Sequence, residues 1–141
     1  MPTGTLHRAV TYPAGVECYP VEEVAGVLRQ VGLGALVTSL GKEAPWGQTL
    51  SPGELQRLAF ARILLARPGW VFLDESTSNL DTASEAALYG LLRQDCPGMT
   101  VVSITHRQSV VDMHVNTIDL TPFVAARPAE EMVSVDASPQ S

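Results

Sequence analysis

Two predominantly apolar segments, at residues 70–73 and 99–104, constrain the fold of this chain of 141 residues more than any other feature. Each is short enough to be a strand, and a helical pattern over residues 82–94 separates them. Strands that are apolar on both faces are typical of parallel sheets, which helices cover on both sides. We therefore predict an α/β fold in which both segments are strands buried on both faces.

The rest of the pattern adds helices and one more strand. The predicted elements are helices at residues 21–31, 35–40, 52–66 and 108–112, a loop over 41–49 and a strand over 115–120. The helix over 52–66 is apolar nearly all round, so we expect it to be largely buried. The helix over 82–94 has its own expected capping box, formed by Thr82 and Glu85.

The residues LSPGE, at positions 50–54, open the helix over 52–66. Ser51 suits the N-cap, Pro52 suits the first helical position, and Glu54 completes a capping box. Gly53 does not fit this explanation, because glycine inside a helix costs about 0.5–1 kcal/mol relative to alanine. A helix start without side chains also suits a phosphate, which the exposed N–H groups and the helix dipole attract. These residues alone leave a plain cap and a phosphate site as open alternatives.

Ionisable residues follow both predicted strands. Asp74 and Glu75 come directly after the first strand, and His106 comes shortly after the second. Ligands of parallel sheets bind at the carboxyl ends of the strands. An Asp can hold Mg²⁺ through water, a Glu can take a proton from an attacking water, and a His can contact a γ-phosphate. For Asp74 and Glu75 alone, a solvated acidic pair that opens a loop is the alternative.

Charge and hydrophobicity exclude several classes of function. The net charge is −6 and the nine Lys and Arg residues are scattered, so no basic stripe predicts a nucleic-acid partner. No apolar run approaches the roughly 18–20 residues that cross a bilayer, so we expect any membrane association to come through a partner. Cys18 and Cys96 lie far apart in the sequence, and we expect them to be free thiols.

The order LSPGE, VFLDE, SNLD and ITHR resembles the C-terminal half of the nucleotide-binding domain of an ABC ATPase. Residues 50–54 match the signature motif of that family, which is usually LSGGQ, and residues 71–75 match its Walker B strand. Residues 78–81 match the D-loop, and His106 matches the switch histidine. The resemblance covers about residues 50–107.

The fold that this resemblance implies is a partial P-loop NTPase domain of the α/β class. Residues 1–68 would form a helical subdomain that ends in the signature helix. Residues 69–120 would form the second half of the RecA-like parallel-sheet core, with Walker B, D-loop and switch histidine. Residues 121–141 read as a mobile acidic tail.

The activity implied by the resemblance is ATP hydrolysis at a dimer interface, which powers transport across a membrane. Asp74 would hold Mg²⁺, Glu75 would polarise the attacking water, and His106 would contact the γ-phosphate of ATP. The residues assigned to nucleotide binding are Leu50, Ser51, Pro52, Gly53, Glu54 and Asp81. Glu54 replaces the usual glutamine, and we expect it to serve the capping box and point away from the phosphate.

The partners implied by the resemblance are a transmembrane permease domain and a second nucleotide-binding domain, which together form an ATP-sandwich dimer. The chain would then be cytoplasmic and peripheral, at the inner face of the membrane. LSPGE, Trp46 and the opening PTGTLHRAVTYP resemble one branch in particular. This branch contains the peroxisomal fatty-acyl half-transporters and their bacterial relatives, in which permease and ATPase share one chain.

The sequence departs from the family pattern in one major respect. A P-loop requires G-x-x-x-x-G-K-S/T, and Lys42, the only lysine, follows Gly41 but precedes Glu43. The 141 residues therefore contain no Walker A motif. We expect a truncated ABC domain that is an ATPase in its intact form and inactive as this chain alone.

Two alternatives remain open. One is a soluble ABC ATPase of DNA repair or translation, against which Trp46, LSPGE and the lack of a basic surface argue. The other is a non-enzymatic interaction fragment, which docks through its apolar helices on a permease or a complete ATPase subunit. The missing Walker A motif favours this second alternative for the isolated chain.

Overall fold

The computed structural model describes residues 4–120 and Pro122. The predicted acidic tail therefore lies outside the described residues, apart from Pro122. The regular elements in chain order are β1 (Gly4–Thr5), α1 (Leu6–Thr11), a 3-10 helix (Val16–Cys18), α2 (Val21–Gln30), a 3-10 helix (Gly34–Ser39), β2 (Glu43–Ala44), α3 (Trp46–Thr49), α4 (Pro52–Ala66), β3 (Trp70–Asp74), α5 (Thr82–Asp95), β4 (Thr100–Ile104) and α6 (Gln108–Val111).

The predicted parallel strand pair is present. β3 and β4 pair in parallel with Trp70 opposite Thr100 and Asp74 opposite Ile104, and α5 makes the connection between them. Leu88 and Leu92 of α5 are buried in the hydrophobic core. The α/β class with a parallel sheet is thus confirmed.

The prediction that both strands are buried on both faces is wrong. Leu73 is buried, but Trp70, Phe72 and Ile104 are 64%, 73% and 55% exposed. Successive side chains of a strand point to opposite faces of the sheet, and within the described residues only one face of this two-stranded sheet is covered. We call the uncovered surface formed by Trp70, Phe72 and Ile104 the bare sheet face.

The segment predicted as a loop at residues 41–49 contains β2 and α3. β2 pairs with β1 in antiparallel fashion, with Gly4 opposite Ala44. Trp46 is buried, and its indole Nε1 donates hydrogen bonds to Gly4 O (3.1 Å) and Lys42 O (3.2 Å). The local pattern of residues 41–49 indicates a loop. The contact with Gly4 that anchors the segment is distant in sequence, so the local pattern could not predict it.

Helix α4 has the predicted bounds, and five of its apolar residues are buried. These are Leu58, Phe60, Ala61, Leu64 and Leu65. The helix packs against α1, α2 and α5, which explains why its apolar residues do not form a single stripe. The 3-10 helix Gly34–Ser39 replaces the α-helix predicted over residues 35–40.

The predicted strand over residues 115–120 is wrong. That segment has no regular structure, and Val115, Ile118 and Leu120 are 99%, 80% and 59% exposed. A strand requires a neighbour for its backbone hydrogen bonds, and in the described part of the chain the sheet of β3 and β4 has two strands only. None of the helices between residues 4 and 120 has the length and hydrophobicity of a membrane-spanning segment.

The bare sheet face leads to a prediction about self-association. We expect Phe72→Lys to reduce the self-association of the purified chain, because it places a charge in an exposed apolar surface beside unpaired strand edges. The melting temperature should change little, since the Phe72 side chain is mostly exposed. Light scattering after size-exclusion chromatography measures the first effect, and circular dichroism measures the second.

The matched control is Leu73→Ala, on the opposite face of β3. Leu73 is buried, so this change should cost about 2–5 kcal/mol of stability. A wild-type chain that stays monomeric at high concentration would contradict the assignment of the bare sheet face as an association surface.

Candidate functional site

The sequence-predicted site residues converge where the start of α4 meets the carboxyl ends of β3 and β4. The side chain of Gln56, on α4, links these parts. Its Nε2 donates to Ser78 Oγ (3.1 Å) and to Glu75 O (3.4 Å), and its Oε1 accepts from Asn79 N–H (3.0 Å). One glutamine therefore holds the loop after β3, residues 75–81, against the first turns of α4.

Glu75 and His106 lie side by side, as the strand order predicts. Glu75 N–H donates to Ile104 O (3.0 Å), which continues the β3–β4 ladder past Asp74. His106 Nε2 lies 3.9 Å from Glu75 Oε1, and the His106 side chain is 95% exposed. In the described part of the chain, no group donates a hydrogen bond to Glu75 Oε1. This oxygen is buried as well as unpartnered, so the Glu75 side chain must turn outward before Oε1 can accept from a ligand.

The backbone of Glu75 adopts an unfavourable conformation. Its φ is 45°, in the left-handed region that non-glycine residues rarely occupy. Such conformations cost of order 1–3 kcal/mol and cluster at functional sites. Here the turn directs the Glu75 side chain toward His106 at the sheet edge while its amide still serves the ladder.

Asp74 can supply one ligand to a metal ion. It ends β3, and it is exposed on the same face of the strand as Phe72. Among the residues that the structure describes, no group of three or more His, Cys, Asp and Glu could hold a metal. Mg²⁺ is usually bound by one or two carboxylates together with phosphate oxygens and waters, so Asp74 fits a Mg²⁺ ion that arrives with a phosphate ligand.

The capping box at the start of α4 is confirmed. Glu54 N–H donates to Ser51 Oγ (3.3 Å), while Glu54 Oε2 accepts from Ser51 N–H and Ser51 Oγ (both 2.8 Å). The hydrogen bond from the Ser51 amide, followed by that from its hydroxyl, lowers the pKa of Glu54. The Glu54 carboxylate thus turns back to Ser51, as expected. Leu50 is buried, and Pro52 is exposed in the first turn.

Gly53 lies against the 75–81 loop. A Cβ at this position would lie 3.4 Å from Asn79 O and 3.4 Å from Leu80 Cδ2. Both distances lie at the short end of ordinary van der Waals contact, so the loop leaves room for the single methyl of alanine. A larger side chain at Gly53 would press on the loop.

Asp81 caps α5, and the predicted capping box of Thr82 and Glu85 is wrong. Asp81 Oδ1 accepts from Ser84 N–H and its Oδ2 from Ser84 Oγ (both 2.8 Å), which lowers the pKa of Asp81. The N-cap is therefore one residue earlier than predicted. Glu85 does not form a capping box, because its side chain is fully buried and does not turn back to the start of the helix.

Glu85 and Arg107 are functional candidates that sequence reasoning missed. Arg107 Nη1 lies 2.9 Å from Glu85 Oε2, and it also donates to Thr77 O (2.8 Å) and Leu80 O (3.0 Å). A helical glutamate at a plausible capping position gives no local sign of burial. The one feature of the sequence that could have indicated a buried partner for Glu85 is the arginine directly after His106.

Comparison with known proteins finds relatives among ABC transporter ATP-binding proteins. No family model matches the chain. An uncharacterized ABC transporter ATP-binding protein of Haemophilus influenzae is 40% identical over 114 residues, which are 81% of this chain and 19% of that protein. The inner membrane ABC transporter ATP-binding protein YddA of Escherichia coli is 39% identical over 104 residues, which are 72% of this chain and 18% of YddA.

A eukaryotic relative and a solved structure also belong to ABC transporters. The human lysosomal cobalamin transporter ABCD4 is 39% identical over 122 residues, which are 79% of this chain and 20% of ABCD4. The structure of a bacterial Atm1-family ABC exporter with ATP bound superposes with a TM-score of 0.66 at 27% identity, covering 79% of this chain and 20% of that one. The chain thus spans about a fifth of the length of these relatives.

The helix caps give a prediction about acid stability. A carboxylate with a lowered folded pKa contributes stability above its unfolded pKa, and this contribution is lost as the pH falls through the folded pKa. Asp81 has such a pKa, lowered from an ordinary value of 3.8. We expect the melting temperature of wild type to fall below about pH 4, and to fall less steeply in Asp81→Asn, which retains an acceptor but does not ionise.

The control is Asp81→Ala, which removes the acceptor and should lower the melting temperature at every pH. Calorimetry between pH 2 and pH 7 separates the two effects. An Asp81→Asn curve that runs parallel to wild type below pH 4 would show that the charge of Asp81 makes no titratable contribution.

Proposed function

Because this chain is homologous to a part of the ATP-binding proteins of ABC transporters, we propose that it acts on ATP as the signature-to-switch segment of an ABC ATPase domain. The observation that carries this proposal is the pairing of Glu75 with His106 at the end of the parallel strands, next to Asp74. Each motif that the resemblance named lies at or near this edge. The proposed cofactors are ATP and Mg²⁺.

The chemistry expected of the site follows from the free groups at the sheet edge. Mg²⁺-ATP, when bound, supplies the γ-phosphoryl group that water attacks. The Glu75 side chain is 40% exposed, and a turn of its carboxylate toward solvent would let it accept a hydrogen bond from that water and take its proton. His106, exposed beside it, can donate a hydrogen bond to a phosphate oxygen, and Asp74 can hold the metal through its carboxylate.

The start of α4 is proposed to receive phosphate from an opposing subunit. Helix α4 spans Pro52–Ala66, so its aligned dipole favours an anion at the exposed N-terminus. The capping box directs the Glu54 carboxylate to Ser51, which reduces its conflict with an approaching phosphate. Leu50, Ser51, Pro52, Gly53 and Glu54 belong to this surface, and Asp81 lies on the adjoining loop.

We extend the proposal to the architecture and partners of the intact protein. Residues 1–68 would form the helical subdomain and residues 69–120 the second half of the catalytic core. A transmembrane permease domain and a second nucleotide-binding domain are the proposed partners, with the chain peripheral at the cytoplasmic face of the membrane. The names of the relatives as transporters and inner membrane proteins support this assignment.

A second candidate function is protein docking without catalysis. The bare sheet face adjoins a groove of about 590 Å³ between α4, β3 and the segment after α1, and most of its lining is apolar. Its residues include Tyr12, Ile63 and Phe72. A surface of this kind favours contact with another protein segment, and in this alternative the exposed side chains at the sheet edge would have no substrate.

The catalytic proposal predicts the effect of Glu75→Gln. We expect ATP turnover to fall by about 10²–10⁴-fold, the usual cost of losing a general base, while ATP binding is retained. The assay requires an assembly in which a P-loop-bearing segment of a relative and a second ATPase subunit complement this chain. Glu17→Gln, an exposed acid on the 3-10 helix Val16–Cys18, is the control. Equal turnover in Glu75→Gln and wild type would remove Glu75 from the mechanism.

The isolated 141-residue chain should neither bind Mg²⁺-ATP tightly nor hydrolyse it. The backbone cradle and lysine of a P-loop hold the β- and γ-phosphates in this chemistry, and these 141 residues contain no such motif. Calorimetric titration and a phosphate-release assay on the monodisperse chain provide the test. Micromolar binding with turnover that depends on Glu75 would instead indicate a nucleotide site within residues 1–50.

A further inference from the structure

An ion pair between the buried Glu85 and the partly exposed Arg107 joins α5 to the segment that carries His106. The Glu85 carboxylate is fully buried, and hydrogen bonds occupy both of its oxygens. Oε2 accepts from Thr77 Oγ1 (2.7 Å) and faces Arg107 Nη1 (2.9 Å), and Oε1 accepts from Ser109 Oγ (2.5 Å). Glu85 thus ties α5 to the loop after β3 and to the segment that carries His106.

Arg107 reaches from the His106 segment to both ends of the 75–81 loop. Its Nη1 donates to Thr77 O (2.8 Å), two residues after Glu75, and to Leu80 O (3.0 Å), next to Asp81. Its backbone N–H donates to Thr105 Oγ1 (3.0 Å), which closes the turn around His106. One guanidinium therefore contacts the neighbourhoods of Glu75, Asp81 and His106.

Because His106 is exposed, its placement depends on the contacts of Arg107. Because the His106 side chain is 95% exposed, little packing holds it, and its position depends on the backbone of Thr105 and Arg107. Stability alone does not explain an ion pair at this place, because well-packed apolar residues often stabilise a fold as well as a buried ion pair does. The contacts to Glu85, Thr77 and Leu80 all come from one nitrogen, Nη1, whose position the rigid planar guanidinium fixes, whereas a lysine ammonium sits on a flexible stem.

We propose that Glu85 and Arg107 are positioning residues that hold the 75–81 loop and His106 in one frame, so that a movement of either is transmitted to the other. This inference rests on the proposed function, because the transmitted movement would couple the loop that carries Asp81 to hydrolysis at Glu75 and His106. Neither residue contacts the reacting atoms. Both act through the segments that they join.

The first test measures hydrogen exchange in the 141-residue chain. The Ser78 and Leu80 amides donate to Glu75 O and Thr77 O within the loop. In Arg107→Lys, we expect these amides to exchange faster, while amides in the middle of α5 keep their wild-type rates. Arg29→Lys, at an exposed position on α2, is the control. Unchanged loop exchange, or a uniform increase in every element, would overturn the proposal.

The second test measures kinetics in the complemented ATPase assembly. We expect Arg107→Lys and Glu85→Gln to lower kcat, by up to about 100-fold for displaced catalytic groups, with little change in KM for ATP. Equal loss through KM, or wild-type kcat in both variants, would overturn the positioning role. An inactive wild-type assembly would refute the proposed function alone, because the exchange experiment decides the mechanical link without ATP.

Discussion

The hydrogen bond from Glu75 N–H to Ile104 O is the interaction on which the site depends. It extends the parallel ladder of β3 and β4 one step beyond the paired residues Asp74 and Ile104. The extension brings two loops to the same sheet edge, each directly after its strand. Without this register, Glu75 and His106 would lie on unrelated loops, because 31 positions separate them in the sequence (106 − 75).

Helix α4 fixes this edge to the rest of the molecule through its polar side chains. Gln56 binds the 75–81 loop, and Arg57 donates to Val31 O (3.0 Å) and to Ser84 Oγ (2.7 Å). One turn further on, Arg62 Nε donates to Ala9 O (3.0 Å). The apolar residues of α4 form the core, so its polar residues have defined positions from which to hold the loops. The packing of this one helix therefore holds the sheet edge against the rest of the molecule.

Local chemistry and strand order were readable from the sequence, and long-range pairing was not. The capping box of Ser51 and Glu54, the bounds of α4 and the convergence of Glu75 and His106 follow from patterns within one or two elements. Most of the errors concern contacts between distant residues, and the misplaced N-cap of α5 is a local one. Glu85 pairs with Arg107, Trp46 is anchored by Gly4, and residues 115–120 have no strand neighbour in the described part of the chain. A local pattern carries no information about any of these partners.

The bare sheet face also provides an optical property. The two tryptophans of the chain occupy opposite environments, since Trp46 is buried with its indole hydrogen-bonded and Trp70 is 64% exposed beside Phe72. Indole emission shifts to shorter wavelengths when water is removed from around the ring. Any protein segment that covers β3 would shift the emission of Trp70 and leave that of Trp46 unchanged, so the chain contains its own fluorescent reporter for the approach of whatever completes its sheet.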